Sequence, residues 1–331
     1  MRHGETTLRH LLRPIRDYLD DKTVTEIVCQ RPGEIGIERA GQWTWLDVPE
    51  FDFNTLDAIG LLGASLLAKT FDPYHPICLS ELPDGQRLMM VRPPVTESGT
   101  ISMTIRIPSQ GDGRVWDDDF KALMRPVKSV AGVISELDRR LLDFYHAEDW
   151  ANFCSLAVRA RKTIAVIGDT GSGKTTYLKR LMREIPLHER VITVEDKPEF
   201  GLMPHRNRVQ MVFDGMTVTA TEAVRTTLKM RPDRVLIQEL TGAEAVAYAR
   251  LLVAGHPGGL TTWHAGEDDP FTPLTVMAKL NNEGQHVDDD TLKAIYRRFV
   301  DIIVFCKCDK LKNEYSSKVI YFKAAQEEVV Q

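Results

Sequence analysis

The sequence predicts an α/β protein: a C-terminal phosphate-loop domain on a mainly parallel sheet, preceded by a smaller α+β domain on an antiparallel sheet. Three observations carry that prediction. In the second half, short apolar runs (TIAVIG, VITVED, VQMVF, RVLIQEL, GLTTWH) alternate with helical stretches, as strands covered by helices on both faces do. In the first hundred or so residues, alternating segments such as VTEIVCQRPGEIGIERAGQWTWLDV are broken by Pro32-Gly33 and Ala40-Gly41 turns, the pattern of antiparallel strands. Between the two, PSQGDGRVWDDD loses the apolar period and is rich in Gly, Asp and Ser, which marks a linker. The expected divisions are 1–107, a linker at 108–124, and 125–331.

A chain of 331 residues suits roughly two domains at about 150 residues each. With 43% hydrophobic and 27% charged residues it belongs with folded globular chains, not disordered ones. A net charge of −5 and a pI near 6.0, with basic residues interspersed, argue against direct nucleic-acid binding. The longest apolar run, AIGLLGASLLA, is well short of the ~18 residues of a membrane span. The start, MRHGETTLRHLLRPIRDYL, is charged throughout, so no signal peptide is expected. Cys29, Cys78, Cys154, Cys306 and Cys308 are scattered and odd in number, which predicts reduced thiols, as in a cytosol.

Taken in order, Leu8, Leu11, Leu12, Ile15, Tyr18 and Leu19 fall at helical spacing, with Arg9, Arg13 and Arg16 towards the other face. A core-facing helix over 8–19 is expected; its basic face also leaves room for peripheral contact with an anionic membrane. After the first strands come a helix near 54–69 and three more strands, HPICLSELP, QRLMMVRPP and GTISMTIRIP. The second domain then contains the segment on which the chemistry turns. TIAVIG runs through GDTGSGKTT into the helical YLKRLMREI, a G-x-x-x-x-G-K-T in the strand-loop-helix setting the pattern requires.

The composition of that loop has a physical reason. A polyphosphate needs many donors at short range, and a glycine-rich turn lets successive backbone amides converge on it ahead of a helix N-terminus. Gly168, Asp169, Thr170, Gly171, Ser172, Gly173, Lys174, Thr175 and Thr176 are therefore the expected nucleotide-binding residues, with ATP and Mg²⁺ as cofactors. Lys174 is expected at the β- and γ-phosphates and Thr175 on Mg²⁺.

Hydrolysis also needs a positioned water, and parallel strands present their carboxyl ends to one crevice. VITVED ends on Glu195 and Asp196, and RVLIQEL carries Glu239. Glu239 is expected to polarise the attacking water and steady Mg²⁺, while Glu195 and Asp196 hold metal-bound waters or the substrate water. The turn GHPGG feeds LTTWH, which puts His264 at a further strand end, where it is expected to hydrogen-bond the γ-phosphate. No second His or Cys at ligand spacing accompanies it, so metal binding by His264 is not expected.

The succession GDTGSGKTT, VITVEDKPEF, LKMRPDRVLIQELTGAEA and GHPGGLTTWHAG resembles the phosphate loop, acidic box, second acidic strand and histidine box of the secretion traffic ATPases. Within that superfamily it is most similar to the hexameric ATPases of type IV secretion systems. The resemblance extends to VTEIVCQRPGEIGIERAGQW, LPDGQRLMMVRPP and ISMTIRIPS, and so spans nearly the whole chain. It implies a RecA-like C-terminal domain and a homohexamer with nucleotide between the N- and C-terminal domains. Matched by motif, Arg87 and Arg106 would close over the phosphates. It further implies a motor for pilus assembly and transfer of DNA or protein, cytoplasmic and peripheral to the inner membrane. Its partners would be other type IV secretion components, including membrane-bound coupling and assembly ATPases.

Two departures stand out. The family's G-E-L/V-R-G pattern reads Gln238 and Thr241 here at the Gly and Arg positions, with Glu239 kept. The two C-x-x-C pairs common in pilus-assembly and type II secretion relatives are absent, which favours the type IV reading. The long segment between Ile107 and the phosphate loop, with its helical SVAGVISELDRRLLDFYHAEDW, resembles the subgroup with an extended linker, which allows domains to be exchanged between neighbours. Two alternatives stand beside the motor: a pilus-assembly or type II secretion ATPase, and a nucleotide-gated docking scaffold with little turnover.

Overall fold

A computed structural model describes residues 4–108, 134–242, 244–280, 286–309, 311–312 and 314–322. The chain divides into two compact units, Met1–Pro93 with Ser98–Glu136, and Pro94–Glu97 with Leu137–Gln331. The linker expected at 108–124 lies outside the described residues apart from Pro108.

In the first unit, β1 (Val24–Cys29), β2 (Glu34–Arg39), β3 (Gln42–Asp47), β4 (Ile77–Glu81), β5 (Arg87–Val91) and β6 (Ser102–Arg106) form one sheet. Their order is β3-β2-β1-β6-β5-β4, antiparallel at every pairing. Ala40 and Gly41 join β2 to β3 with φ of 50° and 81°. A two-residue turn with both φ positive matches the strands' twist.

The helix expected over 8–19 is instead α1 (Glu5–Leu11), a 3₁₀ turn over Arg13–Ile15, and α2 (Arg16–Asp20). Pro14 has no amide to donate and its ring crowds the preceding turn, so the helix cannot run through. The apolar face survives the break: Leu8, Leu12, Ile15 and Leu19 are all buried in the sheet's core. On the basic side, Arg9 pairs with Glu5 and Asp84, and Arg16 with Asp20 and Asp84. The Arg9 hydrogen bond holds the Asp84 carboxyl below its usual range. α3 (Phe53–Ser65) begins where the Asp52 carboxylate accepts the Thr55 amide at 2.7 Å. Gly60 lets it lie close, since a Cβ there would overlap the Phe71 ring.

The second unit holds β7 (Ile164–Gly168), β8 (Val191–Glu195), β9 (Arg208–Val212), β10 (Arg234–Ile237), β11 (Leu260–Trp263), β12 (Ile302–Asp309) and β13 (Glu314–Tyr321). The order is β13-β12-β7-β11-β10-β8-β9, parallel except for the β12–β13 pair. Helices α4 (Glu136–His146), α5 (Trp150–Arg159), α6 (Lys174–Met182), α7 (Ala220–Thr227), α8 (Glu244–Val253), α9 (Thr272–Lys279) and α10 (Asp289–Phe299) accompany it. Every residue of β7, β8, β10 and β11 is buried, which is why these strands read as unbroken apolar runs. Pro94–Glu97 belongs to this unit: the Val95 carbonyl accepts the Val212 amide at 2.7 Å.

The two ends of the parallel strands differ in character. At the amino end, Arg234 is wholly buried and paired with Glu189, and it also donates to the carbonyls of Val158 (2.6 Å) and Gly258 (3.3 Å). The GHPGG turn passes directly over it. Gly258 has φ +78°, and a Cβ there would stand 2.7 Å from the Arg234 guanidinium, so the turn needs glycine. The carboxyl end is the open one.

Candidate nucleotide site

Four strand ends converge at that open edge. β7 delivers the phosphate loop, β8 delivers Asp196, β10 delivers Gln238 and Glu239, and β11 delivers His264. Adjacent parallel strands bring these ends together although up to about a hundred residues of sequence separate them. They line a cavity of about 430 Å³ whose walls include Thr170 to Thr176, Asp196, Glu239 and His264.

The loop is built as its composition requires. Gly168 has φ 143°, and a Cβ would overlap the carbonyl oxygen of Cys306 on β12. Gly171 (φ 79°) and Gly173 (φ 90°) take left-handed conformations, the second as the N-cap of α6. The Asp169 carbonyl closes the turn by accepting the Ser172 amide at 3.2 Å. Asp169 itself is exposed on the loop.

Lys174, the first residue of α6, is 7% exposed. Its Nζ donates to the carbonyls of Gly168 and Asp169, each at 3.1 Å, and lies 3.4 Å from His264 Nδ1 and 3.9 Å from Glu239 Oε1. Burial pulls its ammonium below the usual lysine range, and the Glu239 and Asp169 carboxylates oppose that pull. His264 Nε2 lies 3.0 Å from Glu239 Oε1. A neutral ring protonated at Nε2 satisfies both contacts, donating to Glu239 and accepting from Lys174 at Nδ1. His264 thus ties the base of the loop to the acid of the next strand but one.

Glu195 does not join them. It is fully buried, and its oxygens accept the Phe200 amide at 2.8 Å and the Thr193 hydroxyl at 3.3 Å. Burial raises its carboxyl above the usual range, and these donors only partly offset it. The expectation that Glu195 holds water at the cation is therefore corrected: it anchors the 196–200 loop, while its neighbour Asp196, on the opposite face of the chain, lines the cavity.

Arg87 and Arg106 lie in the first unit, directly opposite each other on β5 and β6. Both are exposed and line a cavity of about 420 Å³ with Lys69 and Glu81. Neither side chain has an ion-pair or hydrogen-bond partner among the described residues. Like charges directly opposed across a strand pair repel, so this pair is suited to an anion arriving from outside.

Several wall residues escaped the sequence analysis. Lys197, Glu199 and Tyr315 line the cavity, Tyr315 from β13 and close enough that a Cβ on Gly173 would meet its ring at 3.4 Å. Gln238 lines it too. Thr241 turns out to serve the helix after it: the Glu244 carboxylate accepts the amides of Thr241 and Gly242. The Thr241 hydroxyl donates to the same carboxylate at 3.4 Å, so Glu244 gathers the turn that leads into α8. Thr175, Asp196, Gln238 and Glu239 bring to the cavity wall the oxygen donors a hard cation takes, while no three His, Cys, Asp or Glu side chains among the described residues come together as a preformed cation site.

Comparison with known proteins supplies the family. The type II/IV secretion system protein family matches residues 10–328. The chain belongs to that family, among the type IV secretion traffic ATPases. The type IV secretion system protein VirB11 of Brucella suis is 35% identical over 301 residues, covering 88% of this chain and 83% of that one. The VirB11 protein of Agrobacterium fabrum is 35% identical over 306 residues, covering 90% and 88%. The solved VirB11 ATPase of the Brucella suis type IV secretion system, crystallised with sulphate, superposes with a TM-score of 0.90 at 33% identity, covering 99% of this chain and 98% of that one. The α/β fold, with one antiparallel and one mostly parallel sheet, is therefore that of a traffic ATPase, and the chain is a nucleotide-binding NTPase. No helix among the described residues is long and apolar enough to cross a membrane.

Proposed function

We propose that the chain hydrolyses ATP to ADP and phosphate as the motor of a type IV secretion or conjugation system. In this reading it powers pilus assembly and transfer of DNA or protein from the cytoplasmic face of the inner membrane. The observation that carries the reading is the Lys174–His264–Glu239 cluster on the floor of the phosphate-loop cavity.

The loop amides between Gly168 and Thr176 bind the phosphates, and the α6 N-terminus adds its positive dipole end. Lys174 meets the β- and γ-phosphates from beneath. Glu239 holds and polarises the attacking water, its carboxylate oriented by the His264 N–H. The single N–H of His264 would move from Glu239 to a γ-phosphate oxygen, so loss of that phosphate alters the contact with Glu239. Thr175 and Glu239 would hold Mg²⁺, with Asp196 on its waters, and the ion would supply charge neutralisation at the phosphates.

A homohexamer completes the site in this account, with Arg87 and Arg106 adding guanidinium charge at the phosphates, worth roughly 10³-fold in rate when engaged. Other type IV secretion components, membrane-bound ATPases among them, are its partners. Phosphate release per protomer, measured against protein concentration, tests the ring. Activity is expected to rise as subunits assemble, and the rise is expected to disappear in Arg87→Ala and Arg106→Ala. A protomer whose specific activity is flat from the monomer upwards, and indifferent to both changes, contradicts a site completed by assembly.

A further inference from the structure

We infer that Gln238 is a positioning residue for the divalent cation, its amide oxygen accepting a hydrogen bond from a water in the cation's hydration shell. The inference rests on the nucleotide reading above and adds a residue to it. Gln238 follows directly on β10 and its backbone is held on both sides: its amide donates to the Val194 carbonyl at 3.0 Å, and its carbonyl accepts the Thr262 hydroxyl at 2.8 Å. The residue is 7% exposed and lines the cavity with Thr175, Asp196 and Glu239. Its Oε1 is buried without a hydrogen-bond partner among the described residues.

A buried amide oxygen is ordinarily paired, because leaving it unpaired forfeits its hydration with nothing in return. Gln238 belongs to the cavity wall, and an unpaired acceptor in that wall calls for a donor. Mg²⁺ keeps several of its waters when it binds, and the cation makes those waters strong donors. Thr175 from the loop and Gln238 from the end of β10 are then two oxygen-bearing residues lining one cavity. A neutral amide suits this position. Asp196 and Glu239 already bring two carboxylates, and a third beside them would add repulsion without a new direction of contact.

Mn²⁺ is the probe. Its binding is followed by the loss of the free-ion paramagnetic resonance signal, in the presence of a non-hydrolysable ATP analogue, for the wild-type chain and Gln238→Ala. The same analogue is titrated separately in EDTA. We expect Gln238→Ala to weaken Mn²⁺ binding about 10-fold with analogue affinity in EDTA unchanged, the size typical of an outer-shell contact. Gln238→Glu keeps an acceptor but sets a third carboxylate beside Asp196 and Glu239, and is expected to retain Mn²⁺ better than Gln238→Ala without exceeding the wild type. If the alanine protein does not fold, Gln238→Met keeps the volume without the polar atoms and is read in the same way. Mn²⁺ binding equal to wild type, or an equal loss of analogue affinity in EDTA, overturns the inference and leaves Gln238 a wall or phosphate contact. Failure of the wild-type chain to bind the analogue at all would instead overturn the nucleotide reading beneath it.

Discussion

Glu239→Gln is expected to slow ATP turnover by roughly 10³-fold while nucleotide binding stays close to wild type. The amide keeps the volume and can still accept the His264 N–H, which now lies 3.0 Å from Glu239 Oε1, so the local geometry is retained. What it loses is the negative charge that orients and polarises the water. The loop amides and Lys174, which carry the phosphates, are untouched. Steady-state phosphate release and equilibrium binding of a fluorescent ATP analogue separate the two effects. The same variant divides the functional alternatives: substrate transfer is expected to fall with turnover, and transfer at full rate in a chain that no longer hydrolyses would favour the docking scaffold.

The second large effect lies at the opposite end of the sheet. Arg234 is 0% exposed and Glu189 2%, and Arg161 approaches the same carboxylate at 3.3 Å. Burial works against the Glu189 carboxylate, yet the Arg234 and Arg161 guanidiniums overcome it and hold the group below its usual range. Arg234→Met leaves a buried carboxylate without its main partner and removes the donors to Val158 and Gly258, at a cost of about 3–5 kcal/mol. Replacing both partners by apolar residues, Arg234→Met with Glu189→Leu, is expected to recover much of that loss, since the unpaired charge goes too. Because the folded Glu189 carboxyl is depressed, the pair's contribution is complete above the ordinary glutamate range and is lost as pH falls through the folded value. Denaturant melts of the second unit's signal at neutral and acidic pH check both points; a single variant within 1 kcal/mol of wild type would show the network to be dispensable.

Much of this site is legible in the sequence because the phosphate loop is local. Its glycines, Lys174 and Thr175 are fixed by contiguous spacing, and strand ends that are parallel must share an edge. What spacing does not reveal is which of two adjacent acids points outward. Glu195 ends β8 and Asp196 follows it, successive side chains alternate, and only the donors from Phe200 and Thr193 decide that Glu195 is internal. Gln238 and Thr241 read as losses when compared with a motif. In the structure one lines the cavity, and the other lies beside the Glu244 carboxylate at the start of α8.

The misses in the fold have similar causes. β13 is a polar edge strand, EYSSKVIY, with no apolar alternation to announce it, and it exists because eight residues of β12 offer it a ladder. Its partner's burial is visible in sequence; its own is not. Tyr315 escaped with it. The first helix shows the reverse case, where the apolar period was right and the local chemistry of Pro14 divided the element without moving Leu8, Leu12, Ile15 or Leu19 out of the core.

The most direct measurement of the central claim is ATP binding and phosphate release by the wild-type chain and Lys174→Ala, side by side, with Mg²⁺ present. Lys174 is buried under the loop, between the Gly168 and Asp169 carbonyls and beside His264 and Glu239, so its loss removes the buried ammonium at the base of the loop. The account predicts saturable turnover by the wild type, and in Lys174→Ala a folded chain with turnover reduced by roughly 10³-fold. Turnover by Lys174→Ala at the wild-type rate would contradict it, because ATP would then be hydrolysed somewhere other than this cavity.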